Sequence, residues 1–258
     1  MVQFDHSLCV NCGRCQENCC VHAISKKDGL YQCSQNWCFR CGQCVALCPT
    51  GAISMPELPA PVEFSADTFA VNPKNLLNTM RFRRSIRRFT GEKVSRGEIE
   101  MLLEAGRCAP TSSNSQTVAF TVLDEDFDRL RPMIWESFAQ MCRERDQKLL
   151  LRRYQRYRSH PDEPDTLFYG GTQMIVVTSE RSIDGALALA NMELLAHTLG
   201  LGTLYCGFAS RAILSSAELR TYFGVTEERK LDGCLIIGKT DLKFHRTAPR
   251  NPAQVNWR

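Results

Sequence analysis

The chain has 258 residues, 43% of them apolar and 23% charged, with a formal net charge of +4; it is long enough to bury a large core, and a disordered or collagen-like chain is excluded. No run approaches the roughly 18 apolar residues that a membrane span needs, and the amino terminus has no apolar h-region, so neither a span nor a secretory signal is expected and a cytoplasmic location is. Fourteen cysteines in such a chain point to metal or redox chemistry, not to a disulfide scaffold, and ten of them fall in residues 1–60.

The first feature from the amino end is a repeat at an offset of 29 residues. Cys9-Val-Asn-Cys12-Gly-Arg-Cys15 and then Cys19 lead to Ala-Ile-Ser, and Cys38-Phe-Arg-Cys41-Gly-Gln-Cys44 and then Cys48 lead to the same Ala-Ile-Ser. Three thiolates spaced C-x2-C-x2-C let one loop wrap three corners of a four-iron, four-sulfur cube. Zinc instead takes two C-x2-C pairs separated by a longer spacer. The fourth cysteine of each copy is expected at the start of a short helix turning away from its own loop, and Gly13 and Gly42 are expected to relieve crowding against the cube. Over about residues 1–55 the chain resembles bacterial two-cluster ferredoxins. The resemblance implies two 4Fe-4S clusters that exchange their fourth ligands: Cys9, Cys12, Cys15 and Cys48 on one, and Cys38, Cys41, Cys44 and Cys19 on the other. Pro49 follows the fourth cysteine of the second copy, whereas Cys20 follows that of the first, so Cys20 is the alternative to Cys19. Cys33 lies outside both motifs and reads as a small buried residue.

Pro56-Glu-Leu-Pro59-Ala-Pro61 is stiff and cannot continue a helix. It divides the chain into a cluster domain over residues 1–58, a Pro-rich linker over 59–71 and a second domain over 72–258. There, Asn72-Pro73 supplies an N-cap and an N1 proline for a helix to about Met80. The string Arg83-Arg84-Ser85-Ile86-Arg87-Arg88-Phe89 follows, with guanidinium groups around a hydroxyl, as suits a phosphate monoester. Ser95-x-x-Glu98 is a capping box for a helix to about Arg107. Ala109-Pro-Thr-Ser-Ser-Asn-Ser-Gln116 is a polar loop before a strand at 118–123, and further strands are predicted at 173–178 and 233–237. Between those two, residues 184–199 are small or apolar nearly all round and stop at Gly200, the pattern of a buried central helix. Ser215-x-x-Glu218 caps a last helix ending before Gly224. Helices interleaved with a few strands give an α+β or α/β layer domain.

The RRSIRRF and APTSSNSQ strings, the 184–199 helix running into Gly200-Leu-Gly-Thr-Leu-Tyr-Cys206-Gly207, and Arg246-Thr-Ala-Pro-Arg250 resemble, in this order, the nitroreductase family of FMN enzymes over residues 72–252. The resemblance implies a nitroreductase-like α+β FMN domain behind a small ferredoxin-like two-cluster domain. It implies that Arg83, Arg84, Ser85 and Arg87 hold the FMN phosphate and ribityl chain, with Arg250 and Arg246 closing from the carboxyl end. Pro110, Thr111, Ser112, Asn114 and Gln116 would come from the partner subunit of an intertwined homodimer. Backbone groups at Cys206 and Gly207 would face flavin N5 and O4, and no side chain is singled out as a catalyst.

Residues 140–160 hold seven basic residues against two acidic ones. With Tyr154 and Tyr157 interleaved, such a helix could grip nucleic-acid phosphates. Its position, where nitroreductases carry a variable segment over the flavin, favours instead a rim for anionic substrates, and no nucleic-acid partner is expected. The histidines lack metal-ligand spacing, His197 reads as a core residue, and no G-x-G-x-x-G follows a strand. The expected protein is an iron–sulfur flavoprotein oxidoreductase. Electrons would pass from an unidentified external donor through the clusters and FMN to a small-molecule acceptor of the nitroaromatic, quinone or enone class. An electron carrier or redox sensor serving a protein partner is the alternative.

Overall fold

The computed structural model describes residues 1–258, which form two compact units: Met1–Ala70 with Thr111–Ser115, and Val71–Pro110 with Gln116–Arg258. The elements of the first are β1 (Gln3–Phe4), α1 (Arg14–Glu17), β2 (Ile24–Lys27), β3 (Leu30–Cys33), α2 (Gln43–Leu47), β4 (Ile53–Ser54) and α3 (Ala66–Phe69). β1 pairs with β4 and β2 with β3, both antiparallel. The repeated Ala-Ile-Ser strings lead into β2 and β4, burying Ala23, Ile24, Ala52 and Ile53. The apolar cluster here is only Val2, Ile53 and Met55, with Cys15, Cys33, Cys38, Cys44 and Cys48 packed against it. A core this small ordinarily depends on disulfides or a metal for its stability.

The second unit contains α4 (Pro73–Phe82), α5 (Arg96–Arg107), β5 (Ala119–Leu123), α6 (Phe127–Glu144), α7 (Lys148–Ser159), β6 (Gln173–Ser179), α8 (Ser182–Thr198), β7 (Gly202–Tyr205), α9 (Gly207–Ser215), α10 (Ala217–Tyr222) and β8 (Lys230–Gly238). The strands form one antiparallel sheet in the order β5-β6-β8-β7. Alternation along the central strands feeds two cores. Met174, Val176, Cys234 and Ile236 pack with residues of α6 and α9, whereas Ile175, Val177, Leu235 and Ile237 pack with residues of α5 and α8. Covered on both faces, β6 is buried at every residue, which is why its sequence shows no polar alternation.

Two expectations change. The last helix is capped by Ser216, not Ser215: Ser216 is extended and its side chain accepts from Leu219 N, while Ser215 still ends α9 and bonds Arg211 O. α8 is not buried all round, since Ile183 and Leu187 are 65% and 40% exposed. The basic 140–160 stretch spans the end of α6 and all of α7, and its tyrosines are not free to stack on bases. Tyr157 stacks on Trp135 at 4.8 Å between ring centroids, and the Tyr154 hydroxyl bonds Glu136. No helix is long and apolar enough to cross a membrane.

Candidate functional site

Two sets of thiols gather in the first unit. Gly13 (φ +81) and Gly42 (φ +73) stand where each Cys loop enters its helix. A side chain at that φ is strained, so the backbone itself calls for glycine there, independently of any crowding. Cys15 and Cys44 lie on the short helices, and Cys19 and Cys48 lie past the ends of those helices, not at a helix start as expected. Cys9, Cys12, Cys15 and Cys48 line one cavity with Phe4 and Tyr31. Cys19, Cys20, Cys38, Cys41 and Cys44 line another, with Cys33 and Cys15. The Cys19 sulfur accepts Ala23 N–H at 3.3 Å, whereas Cys20 is exposed. Cys33 is half-buried and lines the second cavity, so it belongs to the second thiol set and is not an isolated core residue, and burial with the neighbouring Cys38 thiol pushes it up to about 12. Burial would raise Cys48, but amides of Thr50, Ala52 and Gly51 outweigh it and lower the thiol. No three Cys, His, Asp or Glu side chains converge closely enough to chelate one ion. Thiols spread around a cavity suit a cube with an iron at each corner, whose positive charge such a set of thiolates requires.

In the second unit, the basic segment is anchored by its apolar members. Ile86 and Phe89 are buried, Ile86 N donates to Thr203 O at 2.8 Å, and Ser85 bridges to Thr203. Phe89 lies on glycines: Gly202 and Gly238 face each other across β7 and β8, and a Cβ at Gly238 would come within 2.8 Å of the ring. Arg87 and Arg88, between these anchors, are left exposed, and Arg83 ahead of them is half-buried. Arg83 donates to Glu193 Oε1 at 2.9 Å, and Arg88 grips Asp241 with two bonds of 3.1 and 2.7 Å. Burial pushes the Glu193 carboxyl up against the pull of Arg83. Burial also holds His197 down, with Arg83 adding to the effect, and raises the Tyr205 phenol.

Arg87 lines a cavity of about 230 Å³ with Tyr205, Cys206, Gly207, Phe208 and Arg211. Cys206 N donates to Cys234 O at 2.8 Å, pinning this wall to β8. Burial pushes the Cys206 thiol up to about 11, the state of an inert core thiol. Amides of Phe208 and Ala209 face its sulfur. Gly207 N–H, at the first position of α9, has no carbonyl partner within the helix, a donor suited to an electron-rich heterocycle edge.

The profile of the nitroreductase family matches residues 80–239, most of this chain. The chain belongs to the nitroreductase family. It is accordingly an oxidoreductase. A 4Fe-4S binding-domain profile matches residues 34–54, the second cysteine copy. Among solved structures, a nitroreductase with bound FMN from Bacteroides fragilis is 25% identical with a TM-score of 0.58, over 72% of this chain and 99% of that one. One with bound FMN from Desulfitobacterium hafniense is 22% identical with a TM-score of 0.56, over 72% and 100%. An FMN-dependent nitroreductase from Clostridium difficile is 16% identical with a TM-score of 0.53, over 72% and 99%. A search of curated proteins finds no match.

Within the nitroreductase unit, Arg87, Cys206 and Gly207 meet at one cavity, while Arg83 and Arg84 line another, of about 340 Å³, with His197 and Phe244. Arg246 and Arg250 are exposed on the stretch beyond Phe244 and line neither. The APTSSNSQ loop holds a 3-10 turn at Ser112–Asn114, with positive φ at Ser113, Asn114 and Gln116. Asn114 Nδ2 donates to Arg40 O at 2.9 Å, within the first unit, and Pro110 is exposed. Sequence reasoning passed over Glu193, Phe208 and Arg211. The available signal for Glu193 was an acid in the middle of an apolar helix, which must find a cation.

Proposed function

We propose that this chain is an iron–sulfur flavoprotein oxidoreductase that passes electrons from two 4Fe-4S clusters to FMN and on to a small electrophile. The observation that carries it is the grouping of the thiols: each cavity gathers three cysteines of one copy and the fourth of the other, the second with Cys15, Cys20 and Cys33 beside them, an arrangement suited to a cube. Cys9, Cys12, Cys15 and Cys48 would ligate one cluster, and Cys38, Cys41, Cys44 and Cys19 the other. Arg87, with Arg83, Arg84 and Ser85, would hold the FMN phosphate and ribityl chain, and Gly207 N–H would meet the N5 edge. Arg246 and Arg250 would close over the phosphate. When bound, the clusters supply one-electron transfer, and FMN supplies two-electron storage for reduction of the acceptor.

The domains we assign are a cluster domain at 1–58, a linker at 59–71 and an FMN domain at 72–258. A homodimer is supported by α8, whose exposed Ile183 and Leu187 extend an otherwise apolar helix, and Pro110, Thr111, Ser112, Asn114 and Gln116 would then face the flavin of the partner subunit. We place the protein in the cytoplasm, where fourteen unpaired cysteines stay reduced. An open cavity beside Cys206 and Gly207 favours an enzyme over an electron carrier serving a protein partner. The cofactor assignment is tested by iron and FMN quantitation on anaerobically purified, fully reconstituted protein. About eight irons and one FMN per chain are expected; saturation at four irons would show that the first copy, with Cys20 in place of proline, does not complete a cluster.

A further inference from the structure

The cavity beside Gly207 has an uncompensated charge. Arg87 and Arg211 both line it, and its remaining lining consists of Leu, Tyr, Cys, Gly and Phe residues, with no carboxylate. A third guanidinium stands close by. Arg153, on α7, lies 5.1 Å from the centroid of the Phe208 ring, and Arg211 lies 5.9 Å from the same centroid. Phe208 is itself held edge-on by Phe138 at 5.4 Å, so the two guanidinium groups share a platform fixed to the core. Elsewhere in this unit Arg83, Arg88, Arg129, Arg131, Arg143 and Arg156 each pair with an acid, while others without one, such as Arg145 and Arg152, stand exposed to water. Arg153 and Arg211 do not pair with an acid, nor does Arg87, whose counter-charge is the FMN phosphate assigned above; Arg153 reaches only the carbonyl of Thr166, at 3.3 Å. Asp165, the acid whose field reaches Cys206, is already saturated by two bonds from Arg131 and by the amides of Leu167 and Phe168.

Cations gathered without a counter-charge at one cavity repel one another, and a bound anion removes that cost while gaining charge-assisted hydrogen bonds. Position adds a second constraint. Gly207 and Arg211 are four residues apart on α9 and so share a face, one turn from each other. An acceptor at the Gly207 end of the cavity therefore lies within one helical turn of the Arg211 position.

We propose that this cavity selects a small, flat, anionic acceptor, a conjugated electrophile bearing a carboxylate, with Arg211 and Arg153 receiving the carboxylate while the reducible group lies toward Cys206 and Gly207. The proposal rests on the flavin placement given under Proposed function and names the substrate class of that site. It makes Arg211 and Arg153 specificity-determining residues, distinct from the arginines assigned to FMN.

Calorimetric titration of the oxidised holoprotein with 4-nitrobenzoate and with its neutral isostere 4-nitrobenzamide tests it directly. The carboxylate is expected to bind tighter by about tenfold or more, the range of a hydrogen bond to a charged partner. Raised salt should narrow that gap. In Arg211→Gln the ratio should collapse toward one, in Arg211→Lys it should survive in part, and FMN content should stay at the wild-type level in both. The ratio of kcat/KM for the two acceptors should follow the ratio of affinities. Equal affinity in the wild type overturns the proposal. So does loss of FMN from Arg211→Gln in step with loss of the carboxylate, because the guanidinium would then serve the cofactor phosphate. Calorimetry needs no flavin signal. A protein that carried no FMN yet preferred the carboxylate would sink the flavin assignment and support the anion site.

Discussion

Arg83 and Arg87 stand in one basic string, but their surroundings differ. Arg83 is tied to Glu193, which is 7% exposed, while Arg87 is exposed at a cavity edge. Removing one partner of a buried pair strands the other charge, so the two arginines should fail differently when replaced. Arg87→Ala is expected to weaken FMN binding by about 1.5 to 3 kcal/mol, as for a lost charge-assisted bond, with little change in melting temperature. Arg83→Ala should lose FMN and also melt earlier. Adding Glu193→Gln to Arg83→Ala should restore much of the melting temperature without restoring FMN. Equilibrium binding of FMN and of riboflavin, with thermal melts of each variant, separates these outcomes. Loss of riboflavin affinity equal to that of FMN in Arg87→Ala would remove the phosphate role.

The helix entries show what local sequence controls. Ser95 and Glu98 form the reciprocal capping box read from their spacing, and Lys239 adds a 2.6 Å bond to Glu98. Lys239 first, then Ser95, holds the Glu98 carboxyl at about 2, below its ordinary 4.5. A depressed acid contributes stability that is complete above its unfolded value and is lost as pH falls through its folded value. Glu98→Gln should therefore cost about 1 to 2 kcal/mol at neutral pH, the size of a lost cap. The gap from wild type should begin to close below about pH 4.5 and vanish toward pH 2, as followed by melting temperature across that range. An unchanging gap would mean the effect is packing and not charge. These caps were legible because each is made by residues within one turn. The Ser216 cap was missed by one position because Ser215 and Ser216 offer the same hydroxyl, and only the backbone of the sheet-packed α9 decides which residue leaves the helix. Strand cores were legible as apolar runs. Glu193 and Arg211 were not, since their meaning lies in partners 110 residues away in the one case and in a cavity wall in the other.

At the scale of the molecule, the thiol-lined unit and the nitroreductase unit are complementary: one suits one-electron carriers, the other a two-electron cofactor. Joining them in one chain raises the effective concentration of donor for acceptor to roughly the millimolar range of short linkers. The order of events is then open to observation, because iron–sulfur clusters and FMN absorb at different wavelengths. The decisive measurement is anaerobic rapid mixing of wild type and Cys41→Ser with a one-electron donor, following the broad cluster band and the narrower flavin band separately. In the wild type the cluster band should bleach first and the flavin band second. In Cys41→Ser, flavin reduction by the donor should be lost, while the same protein, photoreduced, should still reduce a nitroaromatic acceptor. Flavin bleaching at the wild-type rate in Cys41→Ser would contradict electron entry through the clusters and make the nitroreductase unit its own point of entry.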